Sequence, residues 1–172
     1  MLQTVDRKQR DSWLRATDDA LLRQCTEERY KASGPGGQRR NKVETALRIR
    51  HEPTGVVAKA AESRYLHSNR TYAARRVRDK IALAVRAPFD LDAPDLPPEL
   101  EAQRDSRGRL AVNQKNPAYP LIVAIALDAL AAAEGSFARA ARPLGITTSQ
   151  LIKFLQSDPD IWRTVDETYS AN

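Results

Sequence analysis

Ser33-Gly34-Pro35-Gly36-Gly37-Gln38-Arg39-Arg40-Asn41 is the stretch whose residue types and spacing could do chemistry. Three glycines within four residues permit positive φ and let backbone approach a ligand closely, and the arginines beside them supply phosphate contacts. The nucleotide-binding loops do not fit. G-x-G-x-x-G would need glycine where Arg39 stands, and G-x-x-x-x-G-K-[ST] finds neither its spaced glycine nor its Lys-Ser/Thr pair. Gln38 has no titratable proton and cannot act as a general base, but it presents amide donors and an acceptor. His51 and His67 invite a catalytic reading, as a base near Ser33. His51 ends a strand before a turn, however, and His67 precedes a helix start, where structural or RNA-contact roles are commoner. Asn69-Arg70-Thr71 fits a glycosylation sequon and is better read as a helix cap.

Charge gives the loop its setting. From Arg29 to Lys80 there are 14 Lys or Arg and 4 Asp or Glu, a net +10, whereas Ile81 to Asn172 carries 9 and 12, a net −3. The whole-chain +6 conceals this polarity, which points to a polyanion partner for the first half. A merely solvated basic surface is the alternative.

The elements that must position the loop form an α+β unit. Asp18 and Asp19 start a short helix through Leu21 and Leu22, and periodicity leaves Cys25 to Ala32 open between helix and strand. Thr45 to His51 alternates as a strand, Pro53-Thr54-Gly55 turns, and Val56 to Ala61 returns as its antiparallel partner. Ser68 or Asn69 caps a long helix to about Val85. In it Tyr72, Val77, Ile81, Ala73, Ala74 and Ala84 face inward and a file of arginines outward. Before this unit, residues 1–17 read as a loosely held arm. After residues 18–86 comes a Pro-rich acidic linker, 87–118, separating two modules. Residues 119–172 then read as helices: Tyr119 to Ala133, Ser136 to Leu144, Thr147 to Gln156 and Asp158 to Tyr169.

The glycine stretch closely resembles the peptidyl-tRNA hydrolysis domain of class I peptide chain release factors and their ribosome-rescue relatives. Their Gly-Gly-Gln hallmark stands here as Gly36, Gly37 and Gln38. The likeness continues through Asn41, Thr45, Arg48, His51, Pro53-Thr54-Gly55, Glu62, Arg64, His67 and Asn69-Arg70, covering roughly residues 18 to 86. The resemblance implies a small antiparallel sheet with a packed long helix, and ribosome-dependent hydrolysis of the ester joining nascent peptide to P-site tRNA. It assigns Gly36, Gly37 and Gln38 to catalysis: the Gln38 backbone N–H stabilises developing charge and its side chain helps to admit water. The large-subunit rRNA and peptidyl-tRNA are the implied partners, and a glutamine methyltransferase acting on Gln38 is a further one. The family commonly has His or Asn and then Val after the glutamine. Arg39 and Arg40 stand there instead, for which tighter phosphate contact is expected.

RNA contact is expected at Arg39, Arg40 and Lys42 in the loop and at Arg64, Arg70, Arg75, Arg76 and Arg78 along the helix. About 30 residues precede the glycine loop, which leaves no room for a decoding domain, so rescue of stalled ribosomes without stop-codon reading is expected. The basic C-terminal tail usual in short rescue factors is replaced by a helix-turn-helix pattern. Gly145 is its turn glycine, with Ala140, Leu144, Ile146, Leu151 and Phe154 buried and Thr147, Thr148, Gln150 and Lys153 on the surface. Residues 136–172 carry 4 basic and 4 acidic groups, so counterion release supplies little DNA affinity. Two other readings stand beside the hydrolase: a nucleic-acid-binding regulator, and an RNA-binding protein with no hydrolytic role.

Composition excludes several classes. With 41% hydrophobic and 29% charged residues the chain can bury a core, a mainly aliphatic one at 6% aromatic. The single Cys25 excludes an intramolecular disulfide and a Cys-rich zinc site, and fits a reducing compartment. The charged N-terminus offers no signal-peptide core, and Leu121 to Leu127 falls short of a membrane span. A cytoplasmic monomer with no metal, no cofactor and no membrane partner is expected.

Overall fold

The computed structural model describes residues 3–31 and 45–169. In chain order its elements are β1 (Gln3–Thr4), α1 (Arg7–Arg15), α2 (Asp18–Leu22), β2 (Cys25–Tyr30), β3 (Ala46–His51), β4 (Val57–Ala60) and α3 (Leu66–Ala84). There follow β5 (Val85–Arg86), α4 (Pro98–Glu101), α5 (Tyr119–Ala132), α6 (Phe137–Ala141), α7 (Thr148–Gln156) and α8 (Pro159–Tyr169). They make a mixed α/β fold of two units, Ala16–Ala84 and Met1–Arg15 with Val85–Asn172. No described helix is long and apolar enough to cross a membrane.

In Ala16–Ala84, Thr17 caps α2 by accepting from Ala20 N, and the stretch left open from Cys25 is strand β2. The sheet runs β2-β3-β4, antiparallel throughout. Alternation in β3 buries Leu47, Ile49 and His51 and exposes Arg48 and Arg50, the period-2 signature of a half-buried strand. α3 covers β3 and β4 with Ala73, Ala74, Val77, Ile81 and Ala82. Burying Val77 and Ile81 contributes about 1.5–3 kcal/mol each. The small alanines keep the helix close to the sheet. Two expected inward residues are outward: Tyr72 is 46% exposed, one helical step (about 100°) off the Asn69-Ala73-Val77-Ile81 stripe, and Ala84, the last helical residue, is exposed.

The β3–β4 turn is built on His51. Its N–H donates to Val56 O (2.9 Å), its carbonyl accepts from Gly55 N (2.7 Å), and its Nδ1 lies 2.8 Å from Thr54 Oγ1. Gly55 sits at φ +67°, a conformation glycine adopts without strain. Burial holds the His51 imidazole below its ordinary value of 6.5, with Glu52 opposing. A base depressed in the fold takes up a proton first in the unfolded chain, so stability is full above that value and declines as pH falls below it. Denaturant titrations should show this decline below pH 6.5, and His51→Asn should flatten it. A slope unchanged in the variant would assign it to other groups.

The other unit is built round α5, buried at every position from Tyr119 to Leu130, as a helix apolar on every face but for Asp128 must be. α1, β5 and α6 pack on it, and β1 pairs parallel to β5. Residues 3–15, part of the stretch 1–17 read as a loose arm, bury Arg10, Trp13 and Leu14. The stretch read as an extended linker is also fastened. Pro97 and Pro98 open α4, where proline's fixed φ suits a first turn; Leu100 is 1% exposed. Arg15 pairs with Glu99, and Arg104 with Glu101 at 2.8 Å. Arg104 also donates to Leu144 O (2.6 Å) and Gly145 O (3.2 Å), closing the carbonyl end of the turn after α6. Composition shows prolines and acids but not the arginines that meet them.

Candidate nucleic-acid interface

The sheet sets the ends of the glycine loop. Tyr30, last in β2, pairs with Ala46, first in β3, so the chain leaves and re-enters the sheet at neighbouring positions. Gly36, Gly37, Gln38, Arg39, Arg40 and Lys42 lie outside the described residues.

Asn69 secures Thr45, where the described chain resumes. It is not the helix cap expected from sequence, because α3 begins at Leu66 and places Asn69 one turn inside, at 0% exposure. Its Oδ1 accepts from Ser63 N (2.9 Å), while Nδ2 donates to Ser63 O (2.9 Å) and to Thr45 O (2.6 Å). One side chain thus ties the start of α3 to the residue where the chain rejoins the described sheet. The only sequence signal was its place in the motif series; the role needs the contact with Thr45, 24 residues away. Asn69→Ala should strand buried backbone groups at about 1–3 kcal/mol each. Asn69→Asp, which accepts but cannot donate, should recover the Ser63 N bond alone. Chemical denaturation measures both, and a neutral Asn69→Ala would refute the clamp.

The arginine file divides. Arg64, Arg70, Arg75 and Arg76 are exposed, and Arg78 is half-buried. Arg78 donates to Asp18 Oδ1 and Ala16 O, both at 2.9 Å, which joins α3 to α2. Arg70 reaches Glu27 at 2.7 Å. Arg76 pairs with Glu62, holding that carboxyl below its ordinary range, and donates to Lys59 O at 2.6 Å. Exposed pairs of this kind are worth about 0–1 kcal/mol, so a phosphate can replace the acid at little cost. Arg64 lies over the Tyr65 ring, 4.9 Å from its centroid. Cys25 offers no competing nucleophile, since burial pushes its thiol up to about 11 and the thiolate is the reactive form.

On the second unit Thr147, Thr148 and Lys153 are exposed and Gln150 is half-buried. Gln150 is spent on a capping box: its Oε1 accepts from Thr147 N (3.1 Å), and Thr147 Oγ1 accepts from Gln150 N (3.2 Å). Gly145, at φ +64°, makes the turn between α6 and α7. Ala140, Leu144, Leu151 and Phe154 are buried as expected, while Ile146 is only half-buried. A cleft of about 700 Å³ runs beside α7, with Arg109, Leu110, Val112, Lys153 and Phe154 in its wall.

Comparison with known proteins places the chain in a family. Residues 22–107 match the model of the RF-1 domain. A stretch of 52 residues is 44% identical to peptide chain release factor 2 of Sulfurovum sp. (strain NBC37-1). Stretches of the same length are 46% identical to the release factors 2 of Acidovorax sp. (strain JS42) and Buchnera aphidicola subsp. Baizongia pistaciae (strain Bp). Each match covers 30% of this chain and 14% of the relative, so the likeness belongs to one domain of longer proteins.

Proposed function

The chain belongs to the RF-1 domain family, and from that premise we propose that it promotes ribosome-dependent hydrolysis of the peptidyl-tRNA ester, in rescue of stalled ribosomes without stop-codon reading. A release-factor-like role is what membership itself supports. The observation that carries the hydrolytic reading is Gly36-Gly37-Gln38 inside the matched residues 22–107. In this reading the Gln38 backbone N–H is aimed at the oxyanion forming on the ester carbonyl, and one such fixed donor is worth about 2.7–4 kcal/mol. Gly36 and Gly37 let the backbone reach that position, while the Gln38 side chain orders the attacking water. Arg39, Arg40 and Lys42, with Arg64, Arg70, Arg75 and Arg76, meet RNA phosphates; Arg78 serves the fold as well.

The catalytic domain of this proposal is residues 18–86, and residues 119–172 are its helix-turn-helix-like module, whose α6–α7 pair offers the exposed Thr147, Thr148 and Lys153 as a docking surface. The partners are the large-subunit rRNA and P-site peptidyl-tRNA, with Gln38 the target of a glutamine methyltransferase and the factor acting as a cytoplasmic monomer. The regulator reading draws on the same α6–α7 pair, but residues 136–172 as a whole carry 4 basic and 4 acidic groups, which argues against strong DNA affinity.

The test is peptide release from purified ribosomes carrying peptidyl-tRNA, with and without a stop codon in the A site. Equal release in both, and none from free peptidyl-tRNA, is expected. Release confined to stop codons would remove the rescue assignment. No release in either case would leave a nucleic-acid-binding regulator or a plain RNA-binding protein.

A further inference from the structure

We propose that Arg64, Tyr65 and His67 form a stacking site for an unpaired RNA base. Tyr65 and Tyr72 are the exposed large hydrophobics among the described residues, Tyr65 at 50%. The Tyr65 and His67 rings stack at 5.6 Å between centroids and 29° between planes, and the Arg64 guanidinium lies 4.9 Å from the Tyr65 centroid. Three flat groups are therefore gathered on the surface, and each is a kind of plane on which nucleobases stack.

The site is held ready by its own backbone. Ser63 is fixed through both its N–H and its carbonyl by the Asn69 side chain, Tyr65 N donates to Ser63 Oγ at 3.1 Å, and Tyr65 O accepts from Asn69 N at 3.2 Å. A platform so anchored loses little freedom when a ligand arrives. Its surroundings select the ligand. Residues 64–78 contain five arginines, of which Arg70, Arg76 and Arg78 meet Glu27, Glu62 and Asp18, and exposed Thr71, Tyr72 and Arg75 continue along α3 from His67. Cations beside an aromatic plane suit a base flanked by phosphates. A base paired within a duplex keeps its faces covered, so the ligand is single-stranded or flipped out. The ribosomal setting of this base rests on the function proposed above; the stacking itself does not.

The experiment compares binding of the full chain to a single-stranded RNA oligomer and to an abasic oligomer of equal length and charge. The wild-type chain should prefer the base-bearing oligomer by about tenfold. Tyr65→Ala should lose that preference and Tyr65→Phe should keep it, with salt dependence unchanged in all three because the phosphate contacts remain. Equal wild-type affinity for the two oligomers, or a preference surviving in Tyr65→Ala, would overturn the proposal. A wild-type chain that shows the Tyr65-dependent preference yet releases no peptide from ribosomes would support the stack while removing the release-factor reading.

Discussion

Gly37→Ala is expected to lower peptide release by about 100-fold or more, the cost of misplacing a catalytic group by about 1 Å, while ribosome affinity and unfolding midpoint stay close to wild type. Gly36→Ala should behave alike. In the proposed mechanism a Cβ at either position would intrude where the backbone approaches the ester and would restrict the conformations that aim the Gln38 N–H. The proposed RNA contacts are spread over many arginines and the buried core lies in the described elements, so binding and chemistry should separate. Gln38→Ala keeps the backbone donor. A milder loss in that variant than in the glycine variants assigns most of the effect to the N–H, and a comparable loss assigns it to water placement by the side chain. Release rates measured beside ribosome affinities distinguish the cases. Wild-type release from both glycine variants would end the catalytic assignment.

The second large effect is on stability, at Asp128. This carboxylate lies in the otherwise apolar α5 at 1% exposure. It pairs with Arg10 of α1 and with Arg86 of β5 (3.4 Å), and accepts from Ala87 N at 3.0 Å. Burial raises the Asp128 carboxyl while the two arginines pull it back, and burial lowers Arg86 to about 10. Desolvating these groups is costly, but Asp128 and Asp11, the latter paired with Arg10 at 2.8 Å, together balance the two arginines. Asp128→Ala leaves buried Arg10 and Arg86 without their shared anion and should destabilise the fold by about 3–5 kcal/mol. Adding Arg10→Met to Asp128→Leu should recover part of the loss, because it removes one of the two buried arginines that lose their shared anion and leaves only Arg86. Denaturant unfolding of the full chain tests both, and a loss below about 1 kcal/mol in Asp128→Ala would show that the network carries little of the stability attributed to it.

Local order was legible where a single side chain or a short repeat carries the physics. The β3–β4 hairpin follows from alternation and the Pro53-Thr54-Gly55 turn, and α5 from an apolar stretch too short to span a membrane. The file of arginines on α3 follows from helical spacing, and the family from the ordered glycine-loop residues. What lay beyond reach depends on partners distant in the chain. Tyr72 reads as core by residue type, yet small rotational offsets on a helix decide between core and solvent. Asn69 reads as a cap, but its amide bonds Thr45. The prolines and acids of 87–118 read as a free linker until Arg15 and Arg104 are seen to hold Glu99 and Glu101, and residues 1–17 read as an arm until Arg10 meets Asp128. Pattern and motif act over a few residues and are written in order along the sequence. The satisfaction of buried polar groups is a condition on the whole fold, and only the tertiary structure decides which distant residue meets it.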